Sequence, residues 1–162
     1  MVQVQFTTRA IGRVKSENGA FRIVLDREYA PALEGLEGYS HIVVLWWAHV
    51  MDSEEHRTLL QVQAPYARGP ERIGVFATRS PARPNPIAVS HAPILSVDHK
   101  GATIVVSYLD AENETPVLDV KPYCPSEDRI REAGVPAWCD HWPKWYEDSA
   151  AFDWDREFNF PS

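Results

Sequence analysis

Little in this sequence could staple or anchor a fold from outside. Two cysteines, Cys124 and Cys139, stand fifteen positions apart in 162 residues. A disulfide framework uses more of them at regular spacing, and the absence of any CxxC pair excludes a zinc ribbon or a thioredoxin-like motif. Two reduced thiols in a cytoplasmic protein is the reading that follows. No run of about 18 apolar residues occurs, so no membrane-spanning helix is expected. The longest apolar run, residues 42–48, is of strand length. The opening MVQVQFTTRA lacks a charged region followed by an apolar one, so it does not read as a secretory signal. The histidines show no metal-ligand spacing, and no metal is expected. Gly35-x-x-Gly38 is not a dinucleotide fingerprint, and no Walker A motif is present. A basic excess is missing too: the formal net charge is −7, which argues against a broadly basic nucleic-acid binder.

What is present suits one core: 44% of the residues are apolar, and the length fits a single domain. Val2, Val4 and Phe6 alternate with polar residues, as do Phe21, Ile23 and Leu25 after the turn signal Asn18-Gly19, so the first pairing is expected to be antiparallel. Residues 26–38 hold Tyr29, Leu33 and Leu36 at helical spacing, with Gly35 and Gly38 ending the turns. Residues 40–49 read as a central strand. Residues 51–57 are loop-like or briefly helical. Residues 59–62 and 73–77 are short strands, and 87–97 is one long bent strand. His99-Lys100-Gly101 turns the chain into a β-branched strand at 102–109, and 117–120 is a further strand. No long amphipathic helix precedes residue 126, which counts against a doubly wound α/β fold. The expected fold is mainly all-β: a single antiparallel barrel over residues 1–125 with short helices.

Residues 126–162 differ. Ser126 is expected to cap a helical turn over residues 126–133. An extended tail then carries Trp138, Trp142, Trp145, Tyr146, Phe152, Trp154, Phe158 and Phe160 among acidic residues, nine Asp or Glu against four Lys or Arg. So many aromatics are costly to leave in water. The tail either straps over its own barrel or crosses onto a second subunit. Of Trp46 and Trp47, one faces the core; the other is free to stack on a base or to sit in a dimer contact.

The stretch GVFATRSPARPNPIAVS at 74–90 is the most informative. Pro81, Pro84 and Pro86 bar it from a sheet ladder and fix its backbone. A stiff loop loses little freedom on binding, and it displays Thr78, Arg79, Ser80, Arg83, Asn85 and Ser90. Arginine grips carboxylates and phosphates in pairs of bonds, and between Arg68 and Pro86 the charge balance is +3. The residues alone give an anion-recognising loop, or a rigid turn whose arginines pair with the acidic tail.

This stretch, GLEGYSHIVVLWWAH at 35–49, TPVLDVKPY at 115–123 and IGRV at 11–14 together resemble the TsaA-like family, the TrmO-type methyltransferases that use S-adenosyl-L-methionine (SAM). The resemblance covers most of residues 6–125. It implies a β-barrel working as a homodimer in the cytoplasm, with tRNA as partner and N6 of threonylcarbamoyl-adenosine 37 as methyl acceptor. It also implies that His49, Val50, Arg79, Val89, Asn113, Glu114, Thr115 and Pro116 contact the donor. In this picture Arg79 takes the donor's carboxylate, the backbone around Thr115 and Pro116 reads the adenine edge, and Val89 packs on its ring. The sequence departs from the family pattern in two respects. The family's acidic-Gly pair is Asn113-Glu114 here. The early Pro/Arg-rich segment and the additional C-terminal domain of the bacterial tRNA-modifying members are not expected here, residues 14–26 being short for the first and 162 residues for the second.

Methyl transfer depends mainly on alignment of nucleophile, methyl and sulfur, so a general base is optional. Asp119 and His41 are the candidates for one; each also has a plain structural reading, Asp119 tied to Lys121 or the backbone and His41 a satisfied sheet residue. Two alternatives stand beside the tRNA methyltransferase: a methyltransferase of a small metabolite, and a SAM-binding adaptor without turnover.

Overall fold

The computed structural model describes residues 5–17 and 19–159. Val2, Val4, Asn18 and Phe160 lie outside them. Eight strands follow in order: β1 Gly12–Glu17, β2 Ala20–Leu25, β3 His41–Trp47, β4 Gln61–Gln63, β5 Arg72–Gly74, β6 Ile87–Asp98, β7 Thr103–Val106 and β8 Pro116–Pro122. The chain divides into two compact units, one of Met1–Ser53 with Asn85–Arg129, the other of Glu54–Pro84 with Ile130–Ser162.

The first unit is a closed antiparallel barrel of six strands in the order β1-β2-β7-β6-β3-β8. Closure removes the exposed strand edges that an open sheet would leave. Period-2 alternation fills the inside: Val14, Ile23, Ile42, Val44, Ile104, Val106 and Val117 are buried to 1% exposure or less. β6 is one twelve-residue strand pairing with β3 along one edge and β7 along the other, with a register shift between Ile94 and Ser96. That shift supplies the bend expected for residues 87–97.

Four expectations are corrected. The strand that pairs with β2 is β1, from Gly12 to Glu17, and Phe6 lies in no strand. The helical turns at 26–38 are 3₁₀, Arg27–Leu33 and Leu36–Gly38, the first with Pro31 inside it. Pro31 has no N–H to give to an α ladder. The strand expected at 73–77 ends at Gly74, where Val75–Ala77 turns into 3₁₀. The helical turn expected at 126–133 is Pro125–Asp128, capped from Cys124 rather than Ser126; Asp128 Oδ2 accepts the Cys124 N–H at 2.7 Å. Proline at the first helical position needs no donor partner, which moves the start one residue back. Cys124 and Cys139 are both free thiols.

The second unit contains the two-stranded β4–β5 sheet, the short helix α1 Glu54–Thr58 and the aromatic tail. The tail gathers around Tyr66. Trp138 stacks on Tyr66 with centroids 4.9 Å apart, and Trp142 and Phe158 meet it at 5.4 and 5.6 Å. The backbone joins in: Ala67 N–H donates to Glu157 O at 2.9 Å and Asn159 N–H to Pro65 O at 3.0 Å. Burial of aromatic area in this cluster gives the unit its own core. Among the described residues no helix is long and apolar enough to cross a membrane.

Candidate functional site

In the barrel unit, β3 runs out at Trp47 and the chain turns through a 3₁₀ segment, His49–Met51, at the rim. The Ala48 N–H donates to Pro86 O at 2.8 Å, and Trp47 Nε1–H donates to Asp52 Oδ2 at 2.8 Å. These bonds hold the turn, so that His49 and Val50 are exposed, Val50 to 67%. Trp46 points inward against the core and donates to Ser90 Oγ at 3.0 Å.

The turn before β8 is built on β1. Glu114 N–H donates to Val14 O at 2.8 Å, and Val14 N–H donates to Thr115 O at 2.9 Å. The Ser16 N–H donates to Asn113 Oδ1 at 3.0 Å. Glu114 sits at φ +66°, in the left-handed region that favours glycine. Its carboxylate accepts from Lys15 Nζ and, at 3.1 Å, from Arg13. The two hydrogen bonds, Lys15 first, hold its pKa below the usual carboxylate value. Thr115 is buried, and its Oγ1 lies 3.4 Å from His49 Nδ1, at the long end of hydrogen-bond distance. The structure thus joins His49 and Val50 to the Asn113–Glu114–Thr115–Pro116 turn across the rim.

Val89 lies on β6 opposite Leu45 and is 38% exposed on the barrel wall. Arg79 belongs to the second unit, where it is exposed in the proline-rich loop. That loop is stiffened from within. Thr78 Oγ1 donates to Val75 O at 2.8 Å and accepts from Ser80 N–H at 3.2 Å, while Ser80 Oγ accepts from Ala82 N–H at 3.3 Å.

The two candidate bases fare differently from the rim residues. Asp119 Oδ2 pairs with Lys121 at 2.6 Å and Oδ1 accepts the Val120 N–H at 3.0 Å, so both oxygens are engaged. The Asp119 carboxylate raises the Lys121 pKa through that hydrogen bond. His41 Nδ1 shares a hydrogen bond of 2.8 Å with Ser40 Oγ, and its ring lies 6.3 Å from that of Tyr123. Among the described residues no cluster of three or more His, Cys, Asp or Glu is placed to hold a metal ion. Sequence reasoning missed Arg13 and Lys15, the cations that lock Glu114. Their spacing of two is the signal, visible only once β1 is known to be a strand.

A closed six-stranded antiparallel barrel with His49, Val50 and the Asn113–Pro116 turn at its rim defines an all-β barrel class, unlike the doubly wound nucleotide folds. The chain belongs to the family of the tRNA-methyltransferase O N-terminal domain, whose model matches residues 7–129. It is 39% identical over 130 residues to the tRNA (adenine(37)-N6)-methyltransferase of Escherichia coli (strain K12), covering 78% of this chain and 54% of that protein. It is 39% identical over 134 residues to a probable S-adenosyl-L-methionine-binding protein of Methanothermobacter thermautotrophicus, covering 80% of this chain and 90% of the relative. A crystal structure of TrmO superposes with a TM-score of 0.64 at 28% identity, covering 82% of this chain and 64% of that one. The chain therefore spans about half of the E. coli relative and just under two thirds of the solved TrmO chain.

Proposed function

We propose that this protein is a SAM-dependent methyltransferase of tRNA, acting in the cytoplasm on N6 of threonylcarbamoyl-adenosine 37. The single observation that carries the reading is the rim constellation of His49, Val50 and the 113–116 turn. Its chemistry fits the donor: exposed apolar area at Val50 suits an adenine or ribose face, and polar groups held by backbone bonds suit its edges. When bound, the donor supplies a methyl group on a sulfonium. The chain's own work is to bind and align, which can provide about 7–11 kcal/mol of the barrier. In this reading Thr115 fixes the His49 ring, Glu114 fixes the turn, and Val89 is assigned to the adenine ring.

The assignment of Arg79 to the donor's carboxylate rests on the resemblance of its stretch and has its own test. R79A is expected to weaken SAM binding by about 1.5–3 kcal/mol, the scale of a charge-assisted hydrogen bond. Unchanged affinity by calorimetry removes Arg79 from the site. Donor contacts of Asn113 and Pro116 and a homodimeric state belong to the same reading, and sedimentation velocity tests the latter. Asp119 and His41 stay weak base candidates, Asp119 the weaker because both its oxygens are occupied.

The deciding experiment incubates the protein with methyl-labelled SAM and tRNA bearing or lacking the threonylcarbamoyl group. Label on the bearing tRNA alone is expected; label on neither overturns the tRNA reading. The net charge of −7 favours a second acceptor class, a small metabolite, which label in the small-molecule fraction of a cell extract would reveal.

A further inference from the structure

Within the second unit, several large apolar side chains are displayed rather than packed, among them Leu60, Phe76, Ile130 and Trp145. Phe76 is 78% exposed, although Val75 beside it is buried to 1%. The Arg83 guanidinium carbon stands over the Phe76 ring, 6.0 Å from its centroid, at the outer range of a cation–π contact. Arg83 is also tied back to Ser80 O by its NH1, at 3.4 Å. The ring therefore sits on a turn that is already ordered, by the Thr78 and Ser80 hydrogen bonds and by Pro81 and Pro84. The segment 54–84 carries five arginines, no lysine and three glutamates, a balance of +2 within a chain of net charge −7. Among the described residues neither Arg72 nor Arg83 pairs with a carboxylate. An exposed aromatic ring braced by a guanidinium, in an arginine-rich segment without lysine, is the chemistry of base stacking with phosphate contacts.

We propose that Phe76 and Arg83 form a stacking platform for one base of single-stranded RNA, with Arg72 and Arg83 facing its phosphates. The proposal rests on the tRNA reading and deepens it: the platform holds a nucleotide of the unpaired loop that carries the target adenosine. A purely apolar partner fits less well, because the charge beside the ring is positive and unpaired. The prior ordering of the turn means that little freedom is lost when a base settles on the ring.

The test is fluorescence anisotropy with a labelled, mixed-sequence single-stranded RNA and a copy carrying abasic positions. The wild-type protein is expected to bind the RNA with strong salt dependence. F76A is expected to weaken binding by about tenfold, within the range for loss of one stacked base. F76W, which keeps a π-face, is expected to bind as the wild type does, and abasic RNA is expected to bind both F76A and wild type equally weakly. R83A is expected to weaken binding and flatten its salt dependence. SAM affinity and sedimentation of F76A should match the wild type.

Any of several results overturns the platform: no RNA binding by the wild type, full affinity in F76A, or F76W as weak as F76A. Loss of SAM affinity in F76A would place the ring at the donor, and a changed oligomeric state would place it in a contact between copies; either result also overturns it. Methyl transfer to tRNA is measured separately on the wild type. Phe76-dependent RNA binding without methyl transfer leaves the platform standing and removes the tRNA-methyltransferase reading. Methyl transfer with no effect of F76A does the reverse.

Discussion

Glu114 shows how a single residue departs from a family pattern and is accommodated. A side chain at φ +66° carries backbone strain that glycine avoids. Arg13 and Lys15, side by side on the outer face of β1, bind the carboxylate and offset that strain. Two variants separate the parts. E114G loses the ion pairs but relaxes the backbone; E114A loses the pairs and keeps the strain. Urea denaturation should therefore rank E114A below E114G, and equal midpoints would remove backbone strain from the account. The lowered Glu114 pKa gives the sign of the pH effect. A carboxylate depressed in the folded state contributes stability above its ordinary value near 4.5, and loses it as pH falls through the lower folded value. None of this was legible in the residues, because the read strand at 2–6 left Arg13 and Lys15 without a face. The place of the turn was legible from Thr115 and Pro116, which match the family motif, although Asn113 and Glu114 depart from it.

Among the elements, the barrel strands were the most readable and their ends the least. β3, β6 and β8 announce themselves by recurring Val and Ile, with Pro86 just before β6 and Pro116 and Pro122 at the ends of β8. β7 begins at Thr103 rather than 102 because Ala102 takes φ +48° in the turn, where Asp98 Oδ1 accepts the Lys100 and Gly101 N–H groups at 3.0 Å each. Alternation cannot reveal a turn whose last residue is buried alanine. Gly12 marks a close approach between β1 and β2: an added Cβ would lie 2.3 Å from Val24 O and 2.7 Å from Leu25 Cα. Backbone cannot yield there as a flexible side chain would, so G12A is expected to destabilise the barrel by about 1–3 kcal/mol, read from urea melts; a neutral effect would contradict the pairing geometry. In the proline-rich loop, Thr78 is the internal tie. T78V removes both hydroxyl bonds and is expected to cost about 1–3 kcal/mol, with faster proteolysis within residues 75–84 as the accompanying readout.

Over the whole molecule, the division into two units, each with its own core, was hidden from the sequence. The 54–84 segment reads as a connection with two weak strands, and its partner, the aromatic tail, begins only 46 positions after Pro84, at Ile130. Only long-range contacts such as Tyr66–Trp138 join them. At the centre of that second unit Glu157 is buried, accepting from Trp142 Nε1–H at 3.0 Å and paired with His141 Nε2 at 2.9 Å. The indole bond first, then His141, holds the Glu157 pKa below its ordinary 4.5, with Arg68 adding to the pull. This contribution is complete above about pH 4.5 and fades as pH falls through the folded value. Acid titration followed by near-UV circular dichroism should therefore show the wild-type aromatic signal weakening on the acid side, with a flatter profile in E157Q; parallel profiles would take Glu157 out of the pH response. The burial of Tyr66, aided by nearby Cys139, raises the phenol's pKa by the same logic of a costly buried charge.

The proposed seat of the methyl donor is the barrel rim. A crystal structure with S-adenosyl-L-homocysteine tests it most directly. The predicted result is the ligand lodged against His49, Val50 and the Asn113–Pro116 turn. Ligand density elsewhere, touching none of these residues, would contradict the account at its foundation.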